Sequence, residues 1–190
     1  RASLLVPEIP NATAEISFIN HFLLKRQYSN VACKITAIDT SGKKLQSKLH
    51  RIDKPVVYNF KLTGMVTEPV SNYMIEFFAP DNLFIPFPAV MINHHGKNFI
   101  NQVHAFNRVL NDVFEDDDIN SHQVKEASID LVVNEDTDTF LLFTTGPLPC
   151  KDSLEIEVIT PDQSMVKKFD IDLPRFGVKR VEFKKLFDQI

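Results

Sequence analysis

The chain has 190 residues, 44% apolar and 24% charged, a balance that suits a folded domain with a full hydrophobic core and not a disordered chain. Its net charge of −4 argues against a general nucleic-acid binder, which needs a basic face to displace counterions. No run of about 18 apolar residues occurs, so no transmembrane span is expected. The opening RASLLVPEIPNATAE carries Pro7 and Glu8 where the apolar core of a signal peptide would continue, so no signal peptide is expected there.

Cysteine usage excludes two further classes. Cys33 and Cys150 are too few for a disulfide framework, and no CxxC is present to hold zinc. Asn11-Ala-Thr13 is a glycosylation sequon, which matters only in a secreted eukaryotic protein. Charge is spread unevenly. From Lys25 to Lys54 there are eight Lys or Arg against Asp39 and Asp53, whereas from Asp112 to Asp138 there are ten acids against Lys125. Such a dipole points to two oppositely charged surfaces or to contacts between subunits.

In chain order, Glu15 to Leu24 is apolar, β-branched and aromatic enough to predict a strand. Val31, Cys33, Ile35 and Ala37 alternate with Lys34 and Thr36, the pattern of a half-buried antiparallel strand. Asp39 to Lys43 reads as a hairpin turn in which Gly42 supplies positive φ. Lys44 to Arg51 returns with Leu45 and Leu49 inward and His50 outward, and Pro55 opens a strand whose Val56, Tyr58, Phe60 and Leu62 share one face. Tyr73 to Ala79 predicts a strand covered on both sides. The segment 80–88 carries three prolines and must run over the surface or along an edge, exposing Phe84 and Phe87. Ala89 to Asn93 predicts a short strand that ends at His94 and His95.

Between Asn98 and Phe114 the period changes. Phe99, Val103, Phe106, Leu110, Val113 and Phe114 fall within an arc of about 100°, which predicts an amphipathic helix near 98–114 with Asn98 as its N-cap. Its opposite face holds His104, Arg108, Asn111, Asp112 and Glu115. Beyond it, strands are expected over Ala127–Val133, Thr139–Thr144, Leu154–Val158, Met165–Ile171 and Val181–Phe183.

VACKITAIDTSGKKL followed by PVVYNFKL is laid out like LEIEVITPDQSMV followed by VKRVEFKKL. A duplicated three-stranded unit has this layout, and so do two unrelated meanders. The fold class expected is all-β: one two-layer antiparallel β-sandwich over 1–190, with halves 13–64 and 127–190 flanking a central segment 73–122.

The function expected is a non-enzymatic β-sandwich that contacts a protein partner or its own copies, through Phe84, Phe87, His104, Arg108, Asn111, Asp112 and Glu115. The alternative is a hydrolase-like enzyme centred on His104 as general base, with Asp112 orienting it and Arg108 holding an anion. A variant of that alternative gathers His94, His95, His104 and His122 around a divalent metal, although adjacent strand residues point to opposite faces. No GxSxG elbow, phosphate-cradling glycine loop or HExxH accompanies these residues. Asp116, Asp118 and Asn120 open like a calcium loop, but Ser121 stands where glycine is needed and Ala127 where glutamate is needed. Carbohydrate is not the expected ligand: the chain has no Trp and sixteen Phe, and Phe lacks the polar handle of a wet binding platform.

Overall fold

Strands whose apolar residues alternate can bury one face each, and two such faces close a sandwich. The computed structural model describes residues 2–80, 85, 89–105 and 136–186. Strands β1 (Ala2–Pro7), β3 (Val31–Ile38), β4 (Lys44–Ile52) and β6 (Asn72–Phe78) form one antiparallel sheet in the order β1-β6-β3-β4. Strands β2 (Ala12–Ile19), β5 (Val57–Lys61), β7 (Val90–Gly96) and β8 (Ile100–Ala105) form a second, ordered β5-β2-β7-β8. The two sheets pack face to face as an all-β sandwich.

The first sheet sends Leu4, Val6, Cys33, Ile35, Tyr73, Ile75 and Phe77 into the core, and the second sends Ala14, Ile16, Phe18, Val90 and Ile92. Phe18 meets Phe77 edge-on with ring centroids 5.0 Å apart, across the gap between sheets. Each such Ile or Phe contributes roughly 1.5–3 kcal/mol by leaving water, and the register of every strand is thereby pinned.

Between β2 and β3 the chain forms a short helix, α1 (His21–Arg26). Asn20 starts it by accepting from Leu23 N at 3.1 Å. Gln27 ends it in the left-handed region at φ 58°. The expected strand over 15–24 therefore stops at Ile19: the cap and the left-handed terminus win over the strand propensity of HFLL.

The C-terminal part adds β9 (Phe140–Thr144), β10 (Cys150–Ile159), β11 (Ser164–Leu173), β12 (Val178–Glu182) and a helical turn α2 (Phe183–Leu186). β9 pairs with β12 and β10 with β11, as β2 pairs with β5 and β3 with β4. The correspondence extends to single bonds. Leu62 N donates to Ala14 O at 2.9 Å and Phe183 N to Thr139 O at 3.0 Å; Asn20 N donates to Val56 O at 3.2 Å and Thr145 N to Gly177 O at 3.0 Å. Phe176, between β11 and β12, is buried against Leu5, Ile38 and Met74 on the outer face of the first sheet, and its carbonyl accepts from Asn72 Nδ2 at 2.5 Å.

Two further expectations are corrected. Ile100–Ala105 is strand, not the first part of a helix. Gly96 N bonds Phe99 O at 2.9 Å across a tight turn, and β8 then pairs with β7 from His95↔Ile100 to Val90↔Ala105. Non-local pairing overrides a helical period that was locally just as well satisfied. The remainder of the expected helix, 106–114, lies outside the described residues. In β4 Leu45 packs against the core as expected, but beyond it inward and outward are exchanged: Leu49 is 65% exposed, while His50 turns in and stacks on Phe60 at 4.3 Å. A register shift at Ala37/Ile38 leaves Leu45 as an extra residue, and one extra residue flips every side chain after it.

Candidate functional site

The polar residues that the fold gathers lie on the outer face of β5-β2-β7-β8. The ladder sets Glu15 of β2 beside Asn93 of β7, and Asn93 beside Gln102 of β8. Gln102 Nε2 donates to Asn93 Oδ1 at 2.8 Å. Asn93 Nδ2 in turn reaches Ser17 Oγ at 3.2 Å and Glu15 Oε1 at 3.4 Å. His95, one step out of this row, places Nε2 2.9 Å from Glu15 Oε1. Period-two alternation explains the set: Glu15, Ser17 and Asn93 alternate with buried Ala14, Ile16, Phe18, Ile92 and His94, and His95 and Gln102 take the same outward phase through the ladder.

Of the histidines singled out by the sequence, His95 and His104 share this face and His94 does not. His94 is buried, and its Nε2 lies 2.9 Å from Pro7 O. A carbonyl can only accept, so that nitrogen carries the hydrogen. His95 stands opposite Ile100, four residues along β8 from His104. At the usual strand rise the two imidazoles start roughly 13 Å apart, beyond the reach of a shared metal. No group of three or more metal-ligating side chains forms among the described residues. Phe84, Phe87, Arg108, Asn111, Asp112, Glu115 and His122 lie outside the described residues.

Chemically, the row offers amide donors and acceptors and one carboxylate. Ser17 Oγ meets an amide and not an imidazole, which is no arrangement for activating a nucleophile. The Glu15 and His95 side chains are partly exposed, so their pairing contributes at most about 1 kcal/mol. Sequence reading missed Glu15, Ser17, Asn93 and Gln102. Their signal is outward phase in an amphipathic strand, visible only once the strands are assigned.

Next to the row, β8 is an edge strand among the described residues, hydrogen-bonded to β7 alone. Phe99, Ile100 and Val103 are exposed along it, Ile100 to 73%. On the other sheet an open groove of about 440 Å³ is lined by Asn30, Val31, Ala32, Leu49, Arg51, Phe78 and Pro80. Its one charged residue, Arg51, already pairs with Asp53 at 3.2 Å.

The fold and this face define a mainly-β sandwich with a polar platform beside an apolar edge. No family model, curated protein or solved structure matches the chain.

Proposed function

We propose that this chain is a non-enzymatic binding and assembly module, which adds a strand of another copy of itself, or of a protein partner, to the edge of β8. The observation that carries the reading is the exposure of Phe99, Ile100 and Val103, Ile100 on the outer face of β8 and Val103 on the opposite one, along a strand with no partner on its far side among the described residues. An edge strand with apolar side chains is a template for a further strand: its main chain supplies hydrogen bonds and its side chains supply selectivity. The neighbouring Glu15, Asn93 and Gln102 give the contact a polar rim. The uneven charge along the sequence, basic over 25–54 and acidic over 112–138, supports association between copies.

Sedimentation of the wild type and of an Ile100→Lys/Val103→Lys variant tests this. The wild type gains mass with concentration and the variant stays monomeric. A strictly monomeric wild type whose β8 amides exchange as slowly as those of β7 overturns the reading, because the edge is then already covered within the chain. The alternative enzyme centred on His104 needs Arg108 and Asp112 beside it, and no observation among the described residues favours it.

The module's construction is part of the same proposal: β9–β12 repeat β2–β5. Equal pairing, and the equivalent bonds at Leu62/Phe183 and Asn20/Thr145, support this. By these bonds the second unit is four residues shorter, and Gly146, Pro147, Leu148 and Pro149 stand where the first has α1.

A further inference from the structure

In the first unit β3 has a strand on each side, β4 and β6. In the second, β10 has only β11 among the described residues. The turns that follow, closed by Asp39 N to Lys43 O and by Thr160 N to Gln163 O, set Ile38 equivalent to Ile159. Counting back, Cys33, Ile35 and Ala37 correspond to Leu154, Ile156 and Val158. The first three are wholly buried. Leu154 and Val158 are larger and more apolar than Cys33 and Ala37, and Ile156 matches Ile35, yet all three are only half-buried; Ile159, on the opposite phase, is 75% exposed where Ile38 is buried. An apolar face of this kind, alternating and unpaired on one edge, is built to be covered by a strand.

The first unit identifies the covering strand. β6 runs antiparallel to β3, with Ile75 and Phe77 turned to the core and Glu76 turned outward, opposite Lys34. Lys34 Nζ and Glu76 Oε2 are 3.4 Å apart. Counting from the same turn, Lys34 corresponds to Glu155 and Thr36 to Glu157. The outward charge on the accepting strand is therefore reversed. On the β11 side Lys168 stands opposite Glu155 in the ladder and Glu157 accepts from Ser164 Oγ at 2.5 Å; both carboxylates are exposed, and on the other side of β10 no strand faces them among the described residues.

We propose that the edge of β10 that carries no strand among the described residues accepts an antiparallel peptide strand of β6 type, with aliphatic or aromatic residues on its inner face and Lys or Arg on its outer face opposite Glu155 and Glu157. This rests on the repeat of β2–β5 in β9–β12. Main-chain bonds to β10 hold the strand, Leu154, Ile156 and Val158 fill against its inner residues, and the two glutamates select its charge.

Two synthetic peptides spanning residues 70–79 of this chain test the proposal, one unaltered and one carrying Met74→Lys and Glu76→Lys. Each is titrated into the full chain at low salt, with amide exchange read along β10 and β3. The lysine peptide slows exchange in β10 and leaves β3 unchanged, and binds at least tenfold more tightly than the unaltered peptide. Ile156→Lys in the chain abolishes that protection, and raised salt narrows the difference between the peptides. If neither peptide protects β10, the accepting edge is overturned and the unit equivalence, which stands on its own hydrogen bonds, is not. If both protect β10 equally, the charge rule is overturned together with the residue equivalence from which it was drawn.

Discussion

Asn20 and Thr145 do the same job at the ends of two different strands. Each is fully or almost fully buried, and each ties the end of its strand to the chain entering the strand's partner. Asn20 Nδ2 donates to Ile52 O at 3.3 Å and Lys54 O at 3.0 Å. Thr145 Oγ1 donates to Pro174 O at 2.7 Å, and Gly177 N donates back to Thr145 Oγ1 at 2.7 Å. Burying a polar group is tolerated when its bonds are made and costly when one partner is removed. Asn20→Ala removes the bonds to both carbonyls and the α1 cap, although Lys54 O keeps Val56 N, and lowers stability by about 2–3 kcal/mol; Thr145→Val removes two bonds but leaves Gly177 N bonded to Pro174 O, at about 1–2 kcal/mol. Urea unfolding measures both. Losses near zero would show that water takes over these bonds.

Tyr73 is a core residue with one polar atom, and that atom donates to Glu8 Oε1 at 2.6 Å. Glu8 also accepts from Thr63 Oγ1 at 3.3 Å, while Thr63 accepts from Ala14 N at 2.8 Å. The cluster fastens β1, β2 and β6 together. Burial first, and then the bond to Glu8, push the phenol well above its ordinary value. A neutral donor raised in this way contributes stability that is present below the unfolded phenol's pKa of about 10 and is lost as pH rises above it. Tyr73→Phe costs about 1.5–3 kcal/mol at neutral pH. The wild type begins to lose that margin above about pH 10, at roughly 1.4 kcal/mol per pH unit, so the denaturation curves of the two proteins draw together as pH rises from there. Parallel curves throughout would exclude the phenol as the cause.

How far the sequence carried can be judged from β3 and β4. Val31, Cys33, Ile35 and Ala37 read as an inward face and are all buried; Gly42 read as the turn's positive-φ residue and has φ 80°. One strand later the phase was lost, because the extra residue at Leu45 leaves no mark in composition. β8 failed for a different reason: Phe99 and Val103 fit a helical stripe and a strand alike, and β7 decides between them. The outer face of the second sheet was half legible. His95 and His104 drew notice as residue types, whereas Glu15 and Asn93 come together across 78 positions. Only the pairing of β2 with β7 brings them into one row.

The two thiols should separate cleanly by reactivity. Cys33 is fully buried, and burial first, then the Glu76 carboxylate, push its thiol far above the ordinary range. Cys150 is half-buried at the start of β10. Thiolate is the reacting form and needs access as well. At pH 8 a disulfide reagent added to the native protein should therefore release one equivalent quickly, from Cys150, and the second only on unfolding. Mapping the label by peptide mass identifies which. Rapid labelling of Cys33 in the folded state would mean that the sandwich opens locally near β3.

His50 offers a test at acid pH. Its ring lies against Phe60 and stands opposite Cys33 in the ladder. Burial first, and then Lys48, hold its pKa below the ordinary 6.5. Between the folded and the unfolded pKa the unfolded chain binds more protons, so stability rises with pH across that window. Acidification from pH 7 therefore begins to cost stability near 6.5 and continues until the folded imidazole also charges. His21 is lowered too, by burial first, and adds to the same slope. His50→Phe keeps a ring over Phe60 and has nothing to titrate. Its stability, measured by urea at pH 7 and at pH 5, should fall less between the two than that of the wild type, with His21 supplying part of the remainder. An unchanged difference would place the acid sensitivity elsewhere, and His21→Phe would then be the variant that flattens it.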